Sequence, residues 1–479
     1  MVIVGGGIAG LAAAYFLRDE PADVTVLEGA PRLGGKLTAS EVAGIPVDAG
    51  AEALLRRRPE GTDLIKAVGL GDQLVLPGTT ASAIWSRDAL HPLPSRQFMG
   101  VPADLDGLAG SGVLSAGGLA RAREDLERPA TPRDGDVPVA AYVGARFGPE
   151  LVDRLVDPLL GGVYAGRSEE LSFDATLGPL AAAAAKYPSL AEAAASLIPP
   201  PPPIRPGEQA PPRPAVFTTL TGGLGALPAA VAAASGATIR TRATVRELSR
   251  TPDGWRLVVG SAADPEEVQA DAVVLALPAR PASRLLSGVP GASAAATALA
   301  AIEYASMAIV TLAYPRSRFP ATQGQARSGY LVPAVEGRAV KAVTFSTVKW
   351  PHLTNQSGPN GPDDPIDIIR CSIGRIGEES VLQRDDADLV ALAVADLAGE
   401  TGAQGAPVDT RVTRWGGGLP QYTVGHLDRV ATIRDSVAAQ PGLAVCGAAY
   451  DGVGIPACIA TADAAAHRVR AFFAENQKG

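Results

Sequence analysis

Met1-Val2-Ile3-Val4-Gly5-Gly6-Gly7-Ile8-Ala9-Gly10, followed by Val24-Thr25-Val26-Leu27-Glu28, is the stretch whose reading decides the fold. Met1–Val4 predicts a short buried strand, Ile8–Asp19 a helix and Val24–Glu28 a second strand. That is a compact βαβ unit with G-x-G-x-x-G between strand and helix, the context in which the pattern has meaning. Gly5 allows the tight turn. Gly7 has no side chain to keep the backbone away from a pyrophosphate. Gly10 lets the helix pack closely on the strand. Gly6, Ile8 and Ala9 complete a loop at a helix N-terminus, where free N–H groups and partial positive charge suit phosphate. Glu28 stands 18 residues after Gly10. A carboxylate there accepts hydrogen bonds from ribose hydroxyls and repels a 2′-phosphate, which disfavours NADP.

Working outward, Gly29 is followed by Arg32-Leu33-Gly34-Gly35-Lys36, a second glycine pair with flanking bases. This resembles the extended FAD signature of the flavin amine oxidases and their relatives. Near the other end, Leu443–Cys446 predicts a buried strand, Gly447–Pro456 a glycine-rich turn and Ala457–Ala474 a closing helix. In flavoproteins of this kind such a segment returns to the sheet. The resemblance places Gly447 at the pyrophosphate, Val453, Gly454 and Ile455 along the isoalloxazine, and Val245 at a backbone contact to adenine.

The whole chain bounds the answer further. Its 479 residues suit two or three domains, or one domain with large insertions. A formal net charge of −8 argues against a general nucleic-acid binder. The three cysteines, Cys371, Cys446 and Cys458, have no metal-ligand spacing, so neither a disulfide framework nor a metal site is expected. No leader is visible, and no run of about 18 apolar residues suggests a spanning helix. The expected location is the cytoplasm. Helix candidates between 60 and 200 are Leu64–Val68, Leu119–Leu126, Val139–Phe147, Glu150–Leu155 and Leu190–Leu197. Strand signals follow at Thr238–Leu248, Trp255–Val259, Ala272–Leu277, Met307–Tyr314, Val340–Ser346 and Ile366–Ile373, with a helix over Leu389–Glu400. Pro199–Pro214 and Asn355–Pro365 read as irregular loops.

Several further segments carry a specific resemblance: Gly50–Arg58 (GAEALLRRR), Leu90–Pro102 (LHPLPSRQFMGVP), Asp157–Ser172 (DPLLGGVYAGRSEELS), Thr221–Leu227 (TGGLGAL), Lys349–Pro351 (KWP) and Pro420–His426 (PQYTVGH). Over nearly its whole length the chain resembles the porphyrinogen oxidases of haem synthesis, the Gram-positive coproporphyrinogen III oxidases in particular. G-V-Y-A-G…L-S and P-Q-Y-x-x-G-H discriminate these from generic flavin amine oxidases. Ala51 and Ala53 depart from the family, where larger or polar residues are usual.

The resemblance implies an α/β fold with a Rossmann-like FAD domain of the p-hydroxybenzoate-hydroxylase type. That domain covers residues 1–70, 215–290 and 425–479. A mixed-sheet substrate domain would take 71–85 and 291–424, and a helical insertion 86–200, with 199–214 as a proline-rich loop. FAD would be held non-covalently, with Gly50, Ala51, Glu52, Ala53 and Trp415 added to its contacts.

The implied reaction takes six electrons and six hydrogens from coproporphyrinogen III, with dioxygen as acceptor and peroxide as by-product. The substrate is a large apolar disc with carboxylates on its rim, which calls for an apolar cleft with bases at the mouth. Arg56, Arg57, Arg58, Lys349 and Arg375 are the basic candidates, and Tyr164, Tyr422 and His426 the cleft candidates. No catalytic base is nominated. A transient contact with a ferrochelatase stays open. Rival readings are protoporphyrinogen IX as substrate, a flavin amine oxidase, a carotenoid-type desaturase and a non-catalytic FAD-binding partner.

Overall fold

The computed structural model describes residues 1–199, 215–318, 327–353 and 365–476. Apart from Pro199 and Pro365, the two expected irregular loops lie outside the described residues.

A five-stranded sheet organises the chain, in the order Thr238–Arg240, Thr25–Leu27, Val2–Val4, Val273–Leu275, Leu443–Val445. Every neighbouring pair is parallel, with Val2 opposite both Thr25 and Val273. Parallel strands covered on both faces read as continuous apolar runs, as Val2–Val4, Val273–Leu275 and Leu443–Val445 do, whereas the edge strand Thr238–Arg240 is polar at both ends. Alternate residues serve opposite faces. Ile3, Val26, Val274 and Ala444 face one core, shared with helices Ile8–Phe16, Leu227–Ser235 and Ile455–Asn476. Val2, Val4, Leu27, Val273 and Leu443 face the other, covered by the antiparallel meander Val245–Thr251, Gly254–Gly260, Pro265–Ala270 and by further helices. The sheet therefore gathers strands from the start, the middle and the far end of the sequence.

One expectation needs correction. Thr238–Leu248 is not one strand: Thr238–Arg240 belongs to the parallel sheet and Val245–Thr251 to the meander. Arg242 breaks the run with φ of 54°, a conformation no strand contains.

A second, seven-stranded sheet runs Asp409–Pro420, Tyr304–Pro315, Ile366–Ile373, Val340–Phe345, Gly329–Leu331, Ala83–Ser86, Ala89–Pro92. It is mixed: Gly329–Leu331 pairs parallel with Ala83–Ser86, and the other neighbours are antiparallel. Helix Asp386–Thr401 covers it through Leu389, Ala393 and Leu397. Asp409–Pro420 escapes sequence reading because its charges and glycines hide the alternation of a half-exposed strand.

Residues 105–196 form a cluster of short helices around Val143, Phe147, Leu155, Phe173 and Leu180. Its interior holds an ion pair between Arg146 and Asp125, 2% and 0% exposed. Arg146 also donates to the Pro188 carbonyl at 3.0 Å, while Asp125 accepts from Ser189 Oγ at 2.7 Å and Ala191 N at 2.9 Å. Full pairing is what makes such a buried charge tolerable. Among the described residues no helix is long and apolar enough to cross a membrane.

Candidate functional site

At the carboxyl ends of the parallel strands the three glycines do three different things. Gly5 has φ of +109°, and a Cβ there would collide with the Ala276 carbonyl. A Cβ on Gly10 would strike the Gly5 carbonyl. Gly7 is in extended backbone and nothing lies within 4 Å of where its Cβ would be. Gly5 and Gly10 are thus required by the protein's own packing, whereas Gly7 borders open space. Gly7 is also the N-cap of helix Ile8–Phe16 and offers no side chain to its first turn. The donors around Ile8, Ala9 and Gly10 are those an isolated helix leaves without intrahelical partners. These residues fit a dinucleotide pyrophosphate.

The second glycine pair lies on the first. Gly34 N donates to the Gly6 carbonyl at 2.8 Å, and a Cβ on Gly35 would stand 3.5 Å from Gly7 Cα. Gly34 and Gly35 have φ of +100° and +57°, which glycine adopts without steric cost. Arg32 curls back on its own loop, donating to the carbonyls of Leu33 and Gly35. Lys36 is water-accessible, yet burial of its recess lowers its pKa.

Glu28 ends the second strand, and both carboxylate oxygens are engaged. Gly6 N donates to Oε2 at 2.7 Å and Ala30 N to Oε1 at 2.6 Å. The acid fastens the glycine turn to the adjoining loop. Ala243 N bonds to the Glu28 carbonyl at 2.8 Å, and a Cβ on Gly29 would press on Thr244 Oγ1 at 3.0 Å. Val245 therefore begins its strand alongside this end of the cradle.

Gly447, with φ of +127°, leaves strand Leu443–Val445 beside the start of the first helix; a Cβ there would stand 4.0 Å from Ala9 Cβ. Its N–H donates to Thr461 Oγ1 at 2.9 Å. Ile455 opens the 22-residue closing helix, with Val453 and Gly454 just before it.

Gly50 is squeezed between two elements: a Cβ there would collide with the Lys36 carbonyl and stand 3.1 Å from the Trp415 ring. Trp415 Nε1 donates to the Ala49 carbonyl at 3.1 Å, and Ala51 N to the Lys36 carbonyl at 3.2 Å. Glu52 pairs with Lys349 Nζ at 2.7 Å and with Arg370 Nη1 at 2.5 Å. Burial by itself would raise the Glu52 pKa; the two cations together hold it well below the carboxylate range. Ala53 follows, half-buried.

The tyrosine and histidine candidates form one block. Tyr164 and Tyr422 have ring centroids 5.5 Å apart, and Tyr422 stacks on His426. Tyr422 donates to the Ala448 carbonyl at 2.7 Å and accepts from Gly452 N at 2.8 Å. His426, fully buried, meets the Tyr450 carbonyl at 3.2 Å, and burial pushes its pKa down to about 4. Burial pushes the Tyr164 phenol up to about 12. Gln421 Nε2 reaches the Tyr164 carbonyl, 257 positions away, at 2.7 Å, and Ser172 N donates to the Tyr422 carbonyl at 2.8 Å. The segments 157–172 and 420–426 are thus packed together and fastened to the loop preceding Val453.

The basic candidates separate. Arg56 and Arg57 are exposed and have no acidic partner among the described residues; Arg58 pairs with Glu60 at 2.7 Å. Arg375 is buried and donates to the Val332 carbonyl at 3.0 Å, with Glu378 at 3.4 Å. Sequence reasoning passes over Arg370 and Gln421. Arg370 carries a signal, an arginine set between Ile369 and Cys371 in a strand buried almost throughout, since a charge there needs a buried partner. No group of three or more potential metal ligands occurs among the described residues.

The model of the family described as flavin containing amine oxidoreductase matches residues 8–470. The coproporphyrinogen III oxidase of Mycobacterium tuberculosis is 38% identical over 467 residues, covering 96% of this chain and 95% of that protein. Its counterpart in Bacillus subtilis is 31% identical, with 96% and 95% covered. A crystal structure from Exiguobacterium sp. 255-15, described provisionally as a protoporphyrinogen oxidase, superposes with a TM-score of 0.83 at 31% identity, covering 98% of both chains. The glycine cradle, the open space at Gly7 and the acid at Glu28 fit the FAD that such enzymes carry, and the chain belongs to the flavin-containing amine oxidoreductase family.

Proposed function

We propose that this protein oxidises coproporphyrinogen III to coproporphyrin III. The observation that carries the reading is the packing of segment 157–172 on segment 420–426, with Tyr422 tied to Ala448 and Gly452. These two segments separate porphyrinogen oxidases from generic amine oxidases, and here they form one wall against the loop that leads into Val453–Ile455. The similarity to coproporphyrinogen III oxidases over the whole chain supports the same reading.

Held non-covalently, FAD supplies a two-electron acceptor that is restored by dioxygen. Six electrons and six protons leave the macrocycle over three turnovers, and three dioxygen molecules become three hydrogen peroxide. The chain's part is to bind, orient and exclude water. Gly7 and the first turn of helix Ile8–Phe16 receive the pyrophosphate, and Glu28 the adenosine ribose. Tyr164 and Tyr422, kept as neutral phenols by burial, brace the wall formed by segments 157–172 and 420–426 from within and add no charge to it. His426, enclosed and neutral above about pH 4, orients Tyr422 and has no route to a substrate proton. The exposed Arg56 and Arg57 are the bases available to rim carboxylates. A cytoplasmic location and a transient contact with a metal-inserting ferrochelatase belong to this reading.

The test is aerobic turnover of the purified yellow protein on coproporphyrinogen III. Porphyrin fluorescence should rise with about three peroxides per porphyrin. Coproporphyrin formation no faster than the uncatalysed control contradicts the assignment.

A further inference from the structure

The segment Ala49–Glu52 is held by three elements of the seven-stranded unit at once. Trp415, from strand Asp409–Pro420, donates to the Ala49 carbonyl at 3.1 Å. Arg370, from strand Ile366–Ile373, donates to the Gly50 carbonyl at 2.6 Å and to Glu52 Oε2 at 2.5 Å. Lys349, at the end of helix Ser346–Lys349, donates to Glu52 Oε1 at 2.7 Å. On its other side Ala51 N bonds to Lys36, beside the glycine cradle. The Glu52, Lys349 and Arg370 side chains are only 15%, 16% and 9% exposed. Both oxygens of Glu52 are thereby engaged. The Lys349 ammonium also stands 4.9 Å from the Trp350 ring centroid and 5.7 Å from that of Phe217.

We propose that Lys349 and Arg370 are positioning residues: acting through Glu52, they hold the Gly50–Ala53 segment, and with it the flavin, in register with the substrate-side sheet. The inference rests on the FAD reading above. It removes Lys349 from the set of residues available to substrate carboxylates.

The charge count makes the proposal asymmetric and therefore testable. Glu52 is the carboxylate bonded to both cations, while the buried Asp48, which accepts from Leu224 N and Gly225 N, lies within electrostatic reach of Arg370 and Glu52. Neutralising Lys349 leaves a matched Glu52–Arg370 pair. Neutralising Glu52 leaves two enclosed cations without a directly bonded carboxylate, with only Asp48 in electrostatic reach of Arg370, which is far worse. Removing Lys349 in addition then relieves that excess of positive charge, as expected when both partners of a buried pair are replaced. A substrate-binding lysine has no reason to rescue a glutamate variant.

The experiment compares holoenzymes carrying Glu52→Gln, Lys349→Met, Lys349→Arg and the double change Glu52→Gln/Lys349→Met. It reads the FAD dissociation constant, the shape of the bound-flavin absorption band, and kcat and KM with coproporphyrinogen III. Glu52→Gln should weaken FAD about tenfold or more and alter the band, and adding Lys349→Met should recover most of that loss. Lys349→Met alone, which keeps a neutral pair and so a stable fold, should weaken FAD about threefold and leave KM within about threefold of wild type. Lys349→Arg should regain the affinity that Lys349→Met loses. An approximately tenfold higher KM for Lys349→Met with unchanged FAD affinity, or the absence of rescue in the double variant, overturns the proposal. Wild-type protein that binds no FAD overturns the cofactor reading itself. Wild-type protein that binds FAD, with Glu52→Gln indistinguishable from it, overturns the clamp alone.

Discussion

Tyr422 and His426 stack face to face, ring centroids 3.8 Å apart and planes 15° from parallel. The stack fixes the plane of the phenol, so its hydroxyl can both donate to Ala448 and accept from Gly452. Replacing Tyr422 by Phe keeps the stack and deletes both bonds. The loss should be about 1–3 kcal/mol in urea unfolding, because the Gly452 N–H and the Ala448 carbonyl lose their partner. It should also lower kcat more than it raises KM, since the loop that enters Val453–Ile455 loses its fastening. Wild-type stability together with wild-type kcat for this variant rules out the fastening role.

Glu400 supplies a prediction in pH. It is buried beneath the seven-stranded sheet, accepts from the Tyr330 hydroxyl at 2.6 Å and lies near Asp396, with Arg338 opposing. Burial is the main cause that pushes its pKa up to about 7. The folded state thus holds this proton more tightly than the unfolded chain does. Its stabilising effect is complete below about pH 4.5 and disappears as pH rises to about 7, a loss of roughly 3 kcal/mol. Glu400→Gln keeps an acceptor for Tyr330 and cannot ionise. Urea midpoints should show the variant more stable than wild type at pH 8, with the advantage shrinking toward pH 5. An advantage independent of pH contradicts the assignment.

The glycine cradle separates folding from binding. At Gly7 an added methyl meets nothing within 4 Å and the backbone is extended, so Gly7→Ala should change the stability of FAD-free protein by less than about 0.5 kcal/mol. It should nevertheless weaken FAD strongly, because the methyl occupies the space next to the helix N-terminus. Gly10→Ala drives a methyl into the Gly5 carbonyl and should cost about 1–3 kcal/mol without any cofactor. Thermal scans of both FAD-free variants, with fluorescence titration of FAD, check the pair. Gly7→Ala that binds FAD as tightly as wild type counts against the pyrophosphate placement.

How far the sequence could be read follows from where its information is local. Strand Val2–Val4, the glycine turn and Glu28 form one continuous segment, and strand Ile366–Ile373 is legible from its four isoleucines between the irregular stretch ending at Pro365 and the turn at Gly374. Thr238–Leu248 looked like one strand because the break at Arg242 depends on a left-handed residue that is not glycine. Strand Asp409–Pro420 is hidden in the sequence because most of its residues are only partly buried or exposed, with charges at 409, 411 and 414 and three consecutive glycines at 416–418. Lys349 reads as a free base in the sequence because its partner Glu52 lies 297 positions away. Charge pairing between distant segments is a property of the folded chain, so neither spacing nor composition reports it.

Substrate choice is decided by anaerobic mixing of the holoenzyme with coproporphyrinogen III or with protoporphyrinogen IX, followed by air. Flavin absorbance, porphyrin fluorescence and peroxide are recorded together. Coproporphyrinogen III should bleach the flavin faster, and air should restore the flavin colour with release of peroxide and coproporphyrin. Faster bleaching by protoporphyrinogen IX would contradict the substrate, and bleaching by neither would contradict porphyrinogen oxidation altogether.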